Sequence, residues 1–153
     1  MSHNPIPRWL SRLFLFCMIA MAVTGMLQMP LAGRYYIASA PGLAWTGDFF
    51  FVHKLHYILA ALTLFVVSLI SMNWFMSWRK KLQLTSMGTA RVVVLAGIFL
   101  SGFGRVYRNL PDVNVHPIAV LVIEWTHFGL VMVLGGLALT ALLKRASRYA
   151  VPR

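Results

Sequence analysis

Four long apolar segments, separated by short polar ones, constrain the fold of this chain more than any other feature. Each contains about the 20 residues that a helix needs to cross the hydrocarbon of a bilayer. The segments are continuous runs rich in Leu, Ala, Val and Met, whereas the strands of a membrane barrel alternate apolar and polar residues. The sequence therefore predicts an all-α fold, a four-helix transmembrane bundle that forms a single membrane domain over residues 1–153. The predicted helices are Trp9–Leu31, Phe49–Met76, Thr89–Tyr107 and Pro117–Leu143.

Composition supports a membrane protein over a soluble one. Hydrophobic residues make up 59% of the chain and only three residues are acidic, which leaves too little polar surface to cover a soluble globule. The net charge of +11 does not indicate a nucleic-acid partner, because the basic residues lie at helix ends and do not form one patch. Their excess on one side predicts that both termini are cytoplasmic and that anionic lipid meets part of this charge. That side carries Arg8, Arg12, Arg79, Lys80, Lys81, Arg91, Lys144, Arg145, Arg148 and Arg153; the other carries Arg34, Lys54, Arg105 and Arg108.

The N-terminal segment is similar to a signal peptide but is interpreted as an uncleaved first helix. Its apolar run is longer than a signal peptide needs, and the small residues Ala38-Ser39-Ala40 lie too far downstream to mark its cleavage site. Cys17 lies in this helix and is the only cysteine, so no disulfide within the chain is expected. Its thiol is expected to be buried like a small apolar side chain. Asp48 is expected to cap the second helix, and His116 to precede the fourth, where Pro117 suits the first turn. No internal repeat is evident.

Two histidines lie within the predicted spans, and their position is the main indication of function. An imidazole in hydrocarbon is costly, and two at similar depth on different helices suggest the axial ligands of a haem. His56 lies about 10 Å below the outer end of the second helix and His127 about 15 Å below that of the fourth, by the rise per residue. His53 is one turn shallower and is the reserve ligand on the second helix. His53 and His116 have an alternative interpretation as interfacial residues.

The histidines indicate one haem b and not two. A second haem would need ligand pairs at matching heights, yet His53 and His56 differ by about 4.5 Å while His116 and His127 differ by about 16 Å. Four turns beyond the two preferred ligands, the chain has Ile70 and Ala141, which cannot bind iron. The single haem is expected in the outer half of the membrane.

Glu124 is the only carboxylate within a predicted span, one turn before His127 on nearly the same face. One interpretation is that it exchanges protons with a quinol of the menaquinone or ubiquinone type, or hydrogen-bonds a haem ligand. The other is a structural ion pair with Arg105 or Lys54. The sequence leaves both open.

Nearly the whole chain resembles a known family. The segment Asn4-Pro5-Ile6-Pro7-Arg8-Trp9-Leu10-Ser11, with Thr24-Gly25 at the end of its apolar run, resembles the first helix of the prokaryotic cytochrome b561-like subunits of respiratory formate dehydrogenases and nickel-iron hydrogenases. His56-Tyr57-Ile58-Leu59-Ala60 looks like the second-helix ligand of that family, and His127 looks like its outer ligand on the fourth helix. The family's two-haem members have an inner histidine pair where this chain has Ser11 and Ala141. The resemblance therefore implies the outer haem alone.

The resemblance also implies a function. It suggests a membrane-anchoring electron-transfer subunit of a respiratory complex in a prokaryotic inner membrane, linking the quinone pool to an outer-face partner with iron-sulfur clusters or c-type haems. The chain shows no catalytic motif of its own. The alternative is a haem-free anchor that shapes a quinone site or holds other subunits. A transporter is disfavoured, because no inverted repeat or broken helix is evident.

Overall fold

A computed structural model gives the fold of residues 6–29, 31–144 and 148–153, apart from the side chains of Leu31 and Ala32. Within this described part, four helices are long and apolar enough to cross a membrane. This confirms the all-α class and identifies a multi-pass membrane protein. The four are α1 (Arg8–Leu27), α3 (Phe49–Met76), α4 (Ser86–Arg108) and α5 (Pro117–Leu143), and a single helical turn, α2 (Leu31–Arg34), follows the first.

Two of the long helices have the predicted bounds, and capping residues fix where they begin. The Asp48 side chain accepts a hydrogen bond from the Phe51 backbone N–H at 3.0 Å, so it caps α3 as expected. His116 is the N-cap of α5, and Pro117 occupies the first position of that helix.

The other two helices differ from the prediction by several residues at one end and by one residue at the other. α1 ends at Leu27, four residues early, because residues just before a proline such as Pro30 disfavour helical backbone. α4 begins at Ser86, three residues early, because the Thr85 hydroxyl accepts a hydrogen bond from the Gly88 N–H at 2.8 Å. The prediction followed hydropathy and so began where the apolar residues begin.

Residue contacts divide the chain into two compact units, one ending at Lys80 and the other beginning at Lys81. In the first unit, α1 packs against α3 to form a helical hairpin. The connection between these helices contains α2 and two short 3₁₀ turns, Ile37–Ser39 and Ala44–Gly47. Cys17 is a fully buried free thiol in this unit, which fits its expected place as a small hydrophobe.

The second unit is also a helical hairpin, formed by α4 and α5. It contains a feature that the sequence did not predict, an antiparallel pair of short strands, β1 (Leu82–Leu84) and β2 (Ala150–Pro152). Leu82 lies opposite Pro152 in this pair. The strands join the segment before α4 to the segment after α5, so the two ends of the hairpin are tied together.

Residues just before β2 strengthen this join. The Arg91 side chain of α4 is buried, and its guanidinium lies 3.9 Å from the centroid of the Tyr149 ring. The Thr85 hydroxyl donates a hydrogen bond to the Arg148 carbonyl oxygen at 3.0 Å. A Cβ at Gly88 would collide with the Tyr149 carbonyl, so this close approach requires glycine. We call residues 148–152, held on β1 and the start of α4, the C-terminal clasp.

Alkaline pH is expected to loosen the C-terminal clasp. Burial raises the pKa of the Tyr149 phenol, and the adjacent Arg91 guanidinium opposes part of that rise. The folded clasp therefore holds the phenolic proton more tightly than the unfolded chain does. This contribution to stability is present below the ordinary tyrosine pKa of about 10 and is lost as the pH rises through the pKa of folded Tyr149.

The tyrosinate absorbance of the wild type minus that of Tyr149→Phe measures this titration directly. We expect a midpoint above that of free tyrosine, and a C-terminus that becomes sensitive to protease over the same range. Tyr149→Phe should lack this alkaline transition. A difference spectrum with an ordinary midpoint would contradict the prediction.

Candidate functional site

His56 lies on α3 within the first unit and is buried, with 7% of its surface exposed. Its Nδ1 atom is 2.8 Å from the hydroxyl oxygen of Thr24, in the last turn of α1. The same hydroxyl is 2.8 Å from the carbonyl oxygen of Ala20. A hydroxyl has one proton and a carbonyl can only accept, so both contacts are hydrogen bonds only if Nδ1–H donates to Thr24. The lone pair of the neutral ring is then on Nε2.

His127 lies on α5 within the second unit and has the same kind of partner. Its Nδ1 atom is 3.0 Å from the hydroxyl oxygen of Ser101 on α4. That hydroxyl is also 2.9 Å from the carbonyl oxygen of Gly97 and 3.0 Å from that of Ile98. The argument used for His56 applies again, so Nδ1–H donates and Nε2 carries the lone pair.

A glycine beside each hydroxyl lets the imidazole lie close to the neighbouring helix. A Cβ at Gly25 would be 3.4 Å from the Cε1 atom of His56, and one at Gly102 would be 3.5 Å from the Cε1 atom of His127. These are ordinary van der Waals distances for a methyl group, and a longer side chain at either position would crowd the ring. Each ring thus forms a hydrogen bond with a hydroxyl residue and packs against the glycine that follows it in the chain.

A second polar pair lies one turn further along each hairpin. In the first unit, His53 Nδ1 is 3.2 Å from the Gln28 side-chain oxygen, which accepts the hydrogen bond. In the second unit, the corresponding residues carry charge: Glu124 forms ion pairs with Arg105 at 3.2 Å and with Arg108 at 2.5 Å. The first unit thus has a histidine and an amide at this position, whereas the three side chains in the second have a net charge of +1.

The two hairpins therefore share a short sequence pattern that the sequence analysis missed. The first helix of each hairpin has a hydroxyl residue, a glycine and, three residues after the glycine, a long polar side chain: Thr24-Gly25-x-x-Gln28 and Ser101-Gly102-x-x-Arg105. The second helix has a polar residue three positions before the histidine: His53-x-x-His56 and Glu124-x-x-His127. The pattern is short, and only its Gly and His are identical, so it becomes evident only when the helices that pack together are known.

The structure accounts for the remaining predicted residues in other ways. His116 accepts a hydrogen bond at Nδ1 from the Ile118 N–H at 3.3 Å, so it acts as a helix cap. Glu124 forms an ion pair with Arg105, which is one of the two roles that the sequence left open for it. His53 lies between aromatic rings, with its centroid 5.5 Å from that of Phe49 and 4.4 Å from that of Tyr57. His3 lies outside the described residues.

The positions that a second haem would need hold no ligand. The Ser11 hydroxyl is 3.5 Å from the carbonyl oxygen of Pro7 in its own helix, and Ala141 is buried. In the described part of the chain, no three His, Cys, Asp or Glu side chains lie together as a metal site would require. A bis-imidazole haem needs only two ligands, and its iron binds a neutral ring nitrogen. His56 and His127 satisfy that donor requirement, each within its own hairpin.

Comparisons of the chain with protein-family models, with curated proteins and with solved structures found no match.

Proposed function

We propose that this protein is a haem b electron-transfer subunit of a membrane complex, with His56 and His127 as the axial ligands. The observation that carries the proposal is that each histidine makes the same Nδ1 contact with a hydroxyl on the neighbouring helix. Each donates Nδ1–H to a hydroxyl on the neighbouring helix, so Nε2 is the nitrogen that would bind iron. The neutral imidazole is the form that haem iron requires, and the same arrangement occurs once in each hairpin.

The chain's own residues would hold and insulate the group. When bound, a haem supplies one-electron chemistry at its iron. His56 and His127 would ligate it, while Thr24 and Ser101 would keep the rings in place through their hydroxyls. The apolar helices would exclude water and provide a medium of low dielectric constant.

We propose that the protein binds one haem, in the outer half of the bilayer. Ser11 and Ala141 replace the inner ligands that the resembling cytochrome subunits have, so no second pair is proposed. A single haem near the outer face would exchange electrons with an outer redox partner that has iron-sulfur clusters or c-type haems, and with quinone. The resemblance and the distribution of basic residues support a prokaryotic inner membrane with both termini cytoplasmic.

Docking of that partner would use the outer connections. Arg34, Arg105 and Arg108 lie in or beside them, and an acidic partner surface would complement their charge. Glu124 neutralises one of the two positive charges of Arg105 and Arg108 through its ion pairs. Arg34 therefore supplies about half of the positive charge that remains.

The alternative function is a haem-free anchor. The observation in its favour is that each histidine already has an interhelical hydrogen bond, which is a structural role in itself. In that case the histidines would stabilise the two hairpins, and Glu124 would only hold α4 against α5.

A haem assay of the purified complex separates the two functions. We expect a pyridine haemochrome assay, normalised to this subunit, to give about one haem b per chain, because one bis-imidazole pair supports one haem. A reduced-minus-oxidised spectrum distinguishes haem b from any c-type haem of a partner. Two haems b per chain would require another ligand such as His53 or His116, and none would leave the haem-free anchor.

A further inference from the structure

Thr24 and Ser101 occupy equivalent places in the two hairpins. Each hydroxyl donates its proton to the carbonyl oxygen four residues earlier in its own helix, at 2.8 Å for Thr24 and 2.9 Å for Ser101. Each then accepts Nδ1–H from a histidine on the partner helix of the same hairpin. Two consecutive hydrogen bonds therefore run from imidazole to hydroxyl to backbone carbonyl in both units.

We propose that Thr24 and Ser101 are positioning residues that fix the tautomer of His56 and His127 and raise the electron-donating strength of their Nε2 atoms. This inference rests on the proposed haem function. Each hairpin then provides one ligand and the hydroxyl that supports it. Neither hydroxyl needs to contact the haem for this role.

The physical basis is the polarity of the hydrogen-bond chain. A hydroxyl whose proton is engaged by a carbonyl is a better acceptor, because hydrogen bonds in a chain polarise one another. Donation from Nδ1–H then makes the imidazole more basic at Nε2, which favours ferric over ferrous iron and lowers the reduction potential. Loss of the acceptor should therefore raise the potential.

A hydroxyl also fixes the orientation of the ring. Without it, the Nδ1–H loses the acceptor that fixes the ring, and the other tautomer, with its lone pair on Nδ1, becomes competitive. Partners of metal-binding histidines typically change metal affinity about 10- to 100-fold when they are removed. We expect a loss of haem affinity in that range for either hydroxyl.

The variants to compare are Thr24→Val and Ser101→Ala in the full chain, singly and together, with Thr24→Ser and Ser101→Thr as conservative exchanges. Thr63→Val is the matched control. Thr63 is as buried as Thr24, and its hydroxyl also donates to a carbonyl of its own helix, at 2.6 Å from Leu59. Because it lies on the same helix as His56, it controls for the loss of a buried helical hydroxyl as such.

Equilibrium redox titration of the bound haem is the main measurement. We expect a higher potential in Thr24→Val and in Ser101→Ala, a further rise in the double variant, and parental values in the conservative exchanges and in Thr63→Val. An unchanged potential in both single variants, or an equal shift in Thr63→Val, would overturn the positioning role while the haem function stands. A parental chain without haem would overturn the proposed function, and the positioning role with it.

A second readout applies if a variant retains too little haem for a titration. The ¹⁵N chemical shifts of labelled histidine report the tautomer directly in the haem-free protein. We expect His56 and His127 to carry the proton on Nδ1 in the parent, and the affected ring to shift toward Nε2–H in Thr24→Val or Ser101→Ala. The same tautomer population in parent and variants would overturn the proposal.

Discussion

Replacing either His56 or His127 with leucine is expected to remove the low-spin, bis-imidazole haem spectrum from the purified protein. A haem with two histidine ligands has no substitute for either one within the proposed site, because the polar side chains one turn away are already engaged with Gln28, Arg105 and Arg108. Leucine is close to histidine in volume and suits an apolar helix, so the hairpins should still form. The measurement is haem per chain together with the reduced-minus-oxidised spectrum.

Two controls separate ligand loss from damage to the fold. His116→Asn should retain the haem, since asparagine preserves the cap of α5. His3→Ala should also retain it. His53→Leu tests the reserve ligand: it should retain the haem if His56 is the ligand, and lose it if the two roles are reversed. Low-spin haem that persists in both His56→Leu and His127→Leu would rule out this pair of ligands.

The sequence was sufficient for much of the fold because hydropathy and capping act locally. Asp48 before α3 and Pro117 at the start of α5 mark boundaries that can be recognised from neighbouring residues alone. The Thr85 cap is equally local, but a hydropathy criterion does not find it, because the first residues of α4 are polar. Hydropathy reports where a helix lies in the bilayer, not where its first hydrogen bond begins.

The strand pair could not be predicted in this way. β1 and β2 are each three residues long and lie at opposite ends of a unit that contains two complete helices between them. Such short strands have no alternating pattern, and their pairing depends on how α4 and α5 pack. The Arg91–Tyr149 contact depends on the same packing. The placement of basic residues at helix ends therefore predicts Arg91 at the membrane surface, whereas the structure buries its side chain.

The histidines were found from the sequence, but their hydroxyl partners were not. Depth along a helix follows from residue count, and this identified His56 and His127. The direction in which each ring points follows from the packing of a second helix, whose identity the sequence did not provide. Thr24 and Ser101 each sit beside a glycine in an otherwise apolar run. A search for hydroxyl-glycine pairs on helices that neighbour a histidine within a membrane span would have found both.

The close contact between each histidine and a glycine predicts a second large effect. Gly25→Leu is expected to reduce haem binding about tenfold or more, because a side chain longer than a methyl group would crowd the His56 ring. Overpacking of this kind costs about 1–3 kcal/mol, and each 1.4 kcal/mol is about a factor of ten in an equilibrium constant. Gly102→Leu should act in the same way on His127. Haem per chain is the measurement, with circular dichroism to verify that helix content is retained.

Matched substitutions identify the contact as the cause. Gly25→Ala and Gly102→Ala should retain the haem, because an added methyl group would be at 3.4 Å and 3.5 Å from the respective ring, which is ordinary contact. Gly135→Leu should also retain it, since no atom lies within 4 Å of a Cβ at that position on the same helix as His127. If Gly25→Leu bound haem as well as Gly135→Leu does, the bare surface of α1 would be irrelevant to the ligand. A loss confined to Gly25→Leu and Gly102→Leu would mean that both hairpins hold their histidine against glycine for the same purpose.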